Sequence, residues 1–314
     1  MPKKIKIALL AGGWAGEREI SLKTGEQIYK ALDKKKYQVF KYDPKNDLGK
    51  FFSDALKKKF NLIFPALHGP FGEDGKLQGL LDILGIPYLF SGCLPSALAM
   101  NKYKTKVIVE KEGIIMARDI LIKKKEKYNL NKIIKKLSLP IVIKPLELGS
   151  SVGMSIAKTK KELEQGIKTA FRYDREVLLE KFIEGRELTV PVIGNNPARA
   201  LPVVEIIPRV STWFDYKAKY EVGGSEEICP ARIPEKIKNK IQAISLEVYK
   251  IIGCKDLVRV DFIWQKGSDK LYFLEINTIP GMTATSLVPK SAKAAGMTFS
   301  QFLDKLIGQS LKQE

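Results

Sequence analysis

The 314-residue chain has little cysteine, one histidine, few arginines and no long apolar run. Its three cysteines, Cys93, Cys229 and Cys254, stand far apart without metal-ligand spacing. That excludes a disulfide framework and a thiolate zinc site, and it fits a reducing cytoplasm. No stretch approaches the ~20 apolar residues of a membrane span. The basic start Met1-Pro-Lys-Lys runs straight into a strand pattern, unlike a signal peptide. A cytoplasmic protein with no membrane partner is therefore expected. The order Gly-x4-Gly-Lys-Ser/Thr is absent, which excludes a Walker A loop. Internal repeats and low-complexity linkers are absent too. Arginine supplies only 9 of the 54 basic residues behind a net charge of +19. Nucleic-acid readout favours arginine forks. Here the lysines are spread in runs such as Lys34-Lys-Lys36, Lys57-Lys-Lys59 and Lys123-Lys-Lys125, and no nucleic-acid motif accompanies them. A solvated lysine-rich surface is expected, with no nucleic-acid partner.

What is present is a soluble globular composition, 45% hydrophobic and 28% charged, long enough for two or three domains. The first hundred residues alternate strand and helix patterns: strands at 5–10, 39–42, 61–67 and 87–89, helices at 21–32 and 77–84. Such alternation predicts a parallel, doubly wound sheet, with ligands beyond the carboxyl ends of its strands. Glu17 and His68 fall at that edge. A helix near 101–112 leads to a second unit, with strands at 116–122, 140–144 and 176–183, and helices between. The third unit carries strands at 187–193 and 200–207, an irregular stretch at 208–230, a helix at 234–252 and a hairpin. Two short helices close the chain.

The hairpin joins Leu257-Val-Arg-Val-Asp-Phe262 to Leu271-Tyr-Phe-Leu-Glu-Ile-Asn-Thr278 through Gly267, Ser268 and Asp269. Period-two alternation puts Arg259 and Asp261 on one face, and Glu275 and Asn277 on one face of the partner strand. Val258, Val260, Phe262, Leu274 and Ile276 then point to the core. If the polar sets coincide, two carboxylates and an amide oxygen share a surface suited to a hard cation such as Mg²⁺ with nucleotide phosphates. The other reading is a solvated face with a cross-strand ion pair. Gly149-Ser150-Ser151-Val152-Gly153, just after Lys144-Pro145, can fold backbone N–H groups over phosphate oxygens, with Lys144 as a point charge. Taken alone it equally reads as a Gly/Ser turn. Glu180-Lys181-Phe182-Ile183 closes a strand and offers an apolar edge, with Glu187 beyond it.

In order, these motifs resemble the ATP-grasp superfamily, and within it the D-alanine–D-alanine ligase family. The resemblance runs from Ala11-Gly-Gly-Trp-Ala-Gly-Glu-Arg-Glu-Ile-Ser21 through Ala66-Leu-His-Gly69 and Gly72-Glu-Asp-Gly75 to Leu274-Glu-Ile-Asn-Thr-Ile-Pro-Gly-Met-Thr283 and Ser286-Leu-Val-Pro289. It covers essentially the whole chain. It implies an α/β (α+β) fold of three domains, residues 1–100, 101–183 and 184–314, with a lid over 208–230. It implies ATP-dependent joining of two D-alanines through an acyl phosphate, for peptidoglycan synthesis, with two Mg²⁺ or Mn²⁺ ions and a homodimer.

The resemblance also assigns residues. Lys102, Lys144, Ser150 and Ser151 match the phosphate contacts. Glu180, Lys181 and Ile183 match the adenine edge, and Glu187 the ribose carboxylate. Asp261, Glu275 and Asn277 match the metal ligands. Glu17, joined to Ser150 and Tyr220, matches the group holding the first D-alanine's ammonium. His68 matches a histidine near that substrate, with a structural hydrogen-bonding role and proton transfer both open. Ser286 and Leu287, with Lys219 nearby, match the pocket for the second D-alanine's carboxylate. Arg259 and the N–H of Gly281 match the oxyanion donors. Tyr220 favours an amine acceptor over a hydroxy acid. Another carboxylate–amine or depsipeptide ligase would keep the metal face but differ at Glu17, Tyr220 and Ser286.

Overall fold

The structure is a computed structural model and describes residues 3–209 and 223–312. Strand β1 (Ile5–Leu10) is apolar almost throughout and lies between β2 (Tyr37–Tyr42) and β3 (Leu62–Pro65), all parallel. Helices α1 (Arg18–Ala31) and α2 (Pro44–Leu56) make the crossovers, and α3 (Lys76–Leu84) and α4 (Cys93–Met100) follow. The two faces of β1 explain the layering. Ile7 and Leu9 pack with Ile28 of α1, whereas Ala8 and Leu10 pack with Phe51 and Ala55 of α2 and Leu81 of α3. Both faces are covered, as the alternation predicts. Asp43 caps α2 through the Lys45 N–H, with Pro44 at the first turn. The strand expected at 87–89 shrinks to one parallel bridge, Ile63 to Tyr88, because Pro87 has no N–H to extend the ladder.

A second sheet runs in the order β4 (Asp119–Lys123), β7 (Glu176–Lys181), β5 (Ile141–Pro145), β6 (Ser155–Ala157), antiparallel throughout. Helix α5 (Lys102–Glu110) precedes it, and α6 (Leu130–Leu137) and α7 (Lys160–Ala170) cover one face. Ile141, Ile143, Val177 and Leu179 point to those helices. By alternation Lys144 and Glu180 share the opposite face. The strand expected from 116 begins at Asp119; Met116 makes a separate bridge to Phe273.

The third sheet is antiparallel in the order β11 (Ser225–Ile228), β10 (Val204–Pro208), β8 (Gly185–Ile193), β12 (Leu257–Gln265), β13 (Leu271–Asn277), with β9 (Arg199–Ala200) pairing on β8. Pro202 separates β9 from β10 and breaks the single strand expected at 200–207. Helix α8 (Glu235–Ile252) packs Ile237, Ile241 and Val248 on Leu188, Val190, Val258, Val260 and Phe262. It ends at Gly253, φ +75°, the left-handed cap that glycine adopts without penalty. The closing helices α9 (Leu287–Ala294) and α10 (Phe299–Ser310) return to the first sheet. Phe302, Leu303, Leu306 and Ile307 join Ile7, Leu9 and Ile28 in one core. Among the described residues, no helix is long and apolar enough to cross a membrane.

Candidate active site

The loops after β1 and β3, the loop between β5 and β6, and the segment from β13 to α9 enclose a cavity of about 810 Å³. Glu17, His68, Gly149, Ser150, Arg259, Glu275, Asn277, Gly281, Ser286 and Leu287 line it, together with Glu73, Glu227 and Thr283. Residues from all three expected domains thus meet at one void.

On one wall Glu17 sits at the start of α1, buried, and accepts a hydrogen bond from the Ser150 hydroxyl. Ser150 and Ser151 both have left-handed backbones, φ +50° and +60°, a conformation that costs about 1–2 kcal/mol per non-glycine residue. The carboxylate fits because two glycines face it. A Cβ on Gly69 would lie 2.3 Å from Glu17 Oε2, and one on Gly149 would lie 3.2 Å from Oε1. Glu73 accepts from the Gly69 N–H at 2.6 Å. Its packed position, and then the charge of Glu17, push its carboxyl up to about 8. His68 is buried, its Nε2 3.2 Å from the Thr24 hydroxyl and its ring bonded to the Ile279 backbone. Burial first, and then the charge of Arg259, push it down to about 4, so it is a neutral ring at pH 7.

The facing wall is the hairpin. Arg259 pairs directly with Asn277, and Asp261 with Glu275, so the two polar sets do share a face. Beyond that pair the register jumps from Glu275 to Phe273. This bulge corrects the expected core: Leu274 is skipped, and Phe273 and Leu271 are buried in its place. Arg259 holds Asp261 bidentately, Nε to Oδ1 at 2.9 Å and a terminal nitrogen to Oδ2 at 2.7 Å, and the Thr189 hydroxyl also donates to Asp261. Lys102 lies 3.9 Å from Glu275 and donates to the Leu148 carbonyl at 2.6 Å. Among the described residues no cluster of three His, Cys, Asp or Glu side chains could hold a metal. Two carboxylates and the Asn277 oxygen are fewer ligands than a closed cage, and they fit a hard cation completed by phosphate oxygens and water.

Lys144 and Glu180 meet on the face of the second sheet opposite α6 and α7, 2.6 Å apart. Burial opposes the charge of Glu180, but Lys144 and Lys106 outweigh it and hold the carboxyl down near 2. Lys181, Ile183 and Glu187 follow it, half-buried, at the junction of β7 and β8. Ser286 precedes α9, but its hydroxyl turns to Thr283, 3.0 Å from that N–H and 2.8 Å from its Oγ1, and does not cap the helix. The start of α9, Leu287 and Val288, lines the cavity, and no side-chain cap from Ser286 covers its first N–H groups. Lys219 and Tyr220, and with them most of the expected lid, lie outside the described residues. The flanks of that stretch are an ordered hairpin, Glu205 to Ile228 through Pro208 to Ser225.

Against known proteins, the family described as D-ala D-ala ligase C-terminus matches residues 108–308, and D-ala D-ala ligase N-terminus matches 41–93. The D-alanine–D-alanine ligase of Syntrophobacter fumaroxidans is 46% identical over 311 residues, covering 99% of each chain. The chain belongs to the D-alanine–D-alanine ligase family. The solved ligase of Bacillus anthracis superposes with a TM-score of 0.87 at 36% identity, covering 98% of each chain. A structure of the Bacillus anthracis ligase complexed with ATP gives 0.85 at 34%, again covering 98% of each.

For this ligase-family chain, sequence reasoning passed over several cavity residues. Glu73 lies inside the quoted Gly72-Glu-Asp-Gly75 motif, and its burial beside Glu17 was the missing information. Thr283 likewise ends the quoted Leu274–Thr283 motif, and Glu227 lies in the expected lid stretch without a role of its own. Glu227 is held by Lys290 of α9 and by the Ser225 hydroxyl at 2.5 Å, a contact between the described end of the expected lid and α9.

Proposed function

We propose that this protein joins two D-alanines to D-alanyl-D-alanine at the expense of ATP, for peptidoglycan synthesis in the cytoplasm. The observation that carries the reading is the single cavity with Glu17 and Ser150 on one wall, and Arg259, Glu275 and Asn277 on the other. A likeness of 46% over almost the whole of a curated ligase supports it. Domains at 1–100, 101–183 and 184–314, and a homodimer, belong to the same proposal.

The first D-alanine's ammonium lies at Glu17, where burial strengthens the charge pairing. The second D-alanine's carboxylate lies at the start of α9, beside Ser286 and Leu287, with Lys219 nearby. Lys102, Lys144, Ser150 and Ser151 hold the phosphates. Glu180, Lys181 and Ile183 take the adenine, and Glu187 the ribose. Asp261, Glu275 and Asn277 would hold two Mg²⁺ or Mn²⁺ ions, which when bound neutralise the phosphate oxygens. The first substrate's carboxylate oxygen attacks the γ-phosphorus, and the bond to ADP breaks. The second substrate's amine then attacks the acyl carbon, and phosphate leaves. Phosphoryl transfer needs positioning and charge neutralisation above all. In the second step Arg259 and the Gly281 N–H face the carbonyl oxygen as negative charge gathers there, a role whose loss typically costs ~10²–10³ in rate. His68, neutral and engaged by Thr24 and Ile279, orients this wall. Tyr220 completes the Glu17–Ser150 triad in this proposal.

The test is phosphate release from ATP and Mg²⁺ with D-alanine, L-alanine, D-serine or D-lactate, with the product read by mass spectrometry. D-alanine-dependent release with the dipeptide formed is expected. Release independent of D-alanine, or a depsipeptide product, would refute the substrate assignment.

A further inference from the structure

Beside the second sheet lies a row of four charges, three of them buried, that the roles above use only in part. Asp119 on β4 and Glu180 on β7 are direct cross-strand neighbours, a placement in which two carboxylates repel. Lys106 of α5 stands between them. Its ammonium lies 2.6 Å from Asp119 Oδ2 and 2.7 Å from Glu180 Oε1, and it donates to the Ala117 carbonyl at 2.9 Å. All three of its donors are thereby used. The other oxygen of Glu180 lies 2.6 Å from Lys144 Nζ. The row alternates in sign, Asp119, Lys106, Glu180, Lys144, and its last three members are buried. Lys106 follows Lys102 by one turn on the same face of α5. One helix therefore sends a lysine to the Leu148 carbonyl, beside the Gly/Ser loop, and another to the strand that carries Glu180.

We propose that Lys106 is a positioning residue of the nucleotide site, keeping Glu180 neutralised so that Lys144 is free to turn its ammonium to a phosphate. The proposal rests on the reading of Lys144 as a phosphate contact. A buried carboxylate with a single counter-ion holds it fast, because departure leaves an uncompensated buried charge. With Lys106 in place, Glu180 keeps a partner whichever way Lys144 points. Lys106 itself touches no substrate in this scheme and acts through Glu180 and Lys144.

The experiment is a double-mutant cycle on the full chain: Lys106→Met in the wild-type and Glu180→Gln backgrounds, with KM measured separately for ATP and D-alanine. In the wild-type background the ATP KM rises at least about tenfold, equivalent to about 1.4 kcal/mol, while the D-alanine KM stays put. Lys106→Arg, which keeps the charge, restores most of the loss. In the Glu180→Gln background the same replacement has little effect on the ATP KM, because no carboxylate remains to hold Lys144. An equal penalty in both backgrounds, or none in the wild type, overturns the proposal. Lys144→Met separates the premise from the inference. If it leaves the ATP KM unchanged, the phosphate role of Lys144 fails, and the proposal falls with it. If it raises the ATP KM, the cycle alone decides about Lys106. Should Lys106→Met fail to fold, Asp119→Asn/Lys106→Met leaves a balanced Glu180–Lys144 pair and carries the same expectations.

Discussion

Replacing Gly69 by alanine tests whether the place of Glu17 is set by the absence of one methyl group. At Gly69 φ is +71°, and an added Cβ would stand 2.3 Å from Glu17 Oε2. Ordinary contact begins near 3.4 Å, so the carboxylate must withdraw by about 1 Å. The far end of a flexible side chain gives way cheaply, and the Ala15 Cβ, 3.2 Å away, need yield only slightly, so the fold pays little beyond the left-handed penalty of about 1–2 kcal/mol. The chemistry is less forgiving: a misplacement of about 1 Å at a substrate contact can reduce rate ~10²-fold, about 2.7 kcal/mol. Gly85 is the control. It has φ +62° with nothing within 4 Å of its Cβ, so Gly85→Ala carries the same backbone penalty and no contact. Urea unfolding should show both variants destabilised alike. Steady-state kinetics should show kcat/KM for D-alanine down about 100-fold in Gly69→Ala only, with the KM for ATP little changed. Gly69→Ala kinetics that match those of Gly85→Ala would refute the reasoning that Glu17 must hold this position.

Glu275→Gln should abolish ATP turnover while circular dichroism stays native; retained turnover would refute the proposed role of Glu275 as a metal ligand. His68 contributes a pH dependence whose sign follows from its depressed value. The unfolded chain binds a proton at this ring below about pH 6.5 and the folded chain only below about 4, so stability falls as pH drops through that window, by up to about 3 kcal/mol. The difference in unfolding free energy between wild type and His68→Gln should shrink by that amount between pH 7 and pH 4, and a pH-independent difference would contradict the buried neutral ring. Asp256 is fully buried at φ +62° and accepts from the Phe90 N–H at 2.9 Å, Asn195 at 2.8 Å and the Ser310 hydroxyl at 2.8 Å. Asp256→Ala strands these donors and should destabilise by about 3 kcal/mol or more in urea unfolding, and a loss below about 1 kcal/mol would show that they find other partners.

Much of the site was legible in the chain because strand alternation is a rigid rule. Arg259, Asp261, Glu275 and Asn277 fall on one face at period two, and the ladder pairs them as the pattern requires. Leu274 escaped the rule because a bulge is a backbone event that leaves no mark on the hydrophobic pattern. The alternating strands and helices of the first hundred residues likewise predict a parallel sheet covered on both faces, and the cores on either side of β1 agree. Strand ends at 87–89, 116–119 and 201–203 moved where a proline removes an N–H or a pairing partner was missing, facts that a local window does not contain.

By itself, then, the sequence determined most of the elements and the polar face of the hairpin, because propensity and periodicity act within a few residues of chain. Tertiary structure alone decided what depends on contact across long separations. It brought Glu17 to Ser150 across 133 positions and returned α10 to the core beside the first sheet. It also set Lys106 between Asp119 and Glu180, a charge balance that desolvation makes decisive only once all three are packed together.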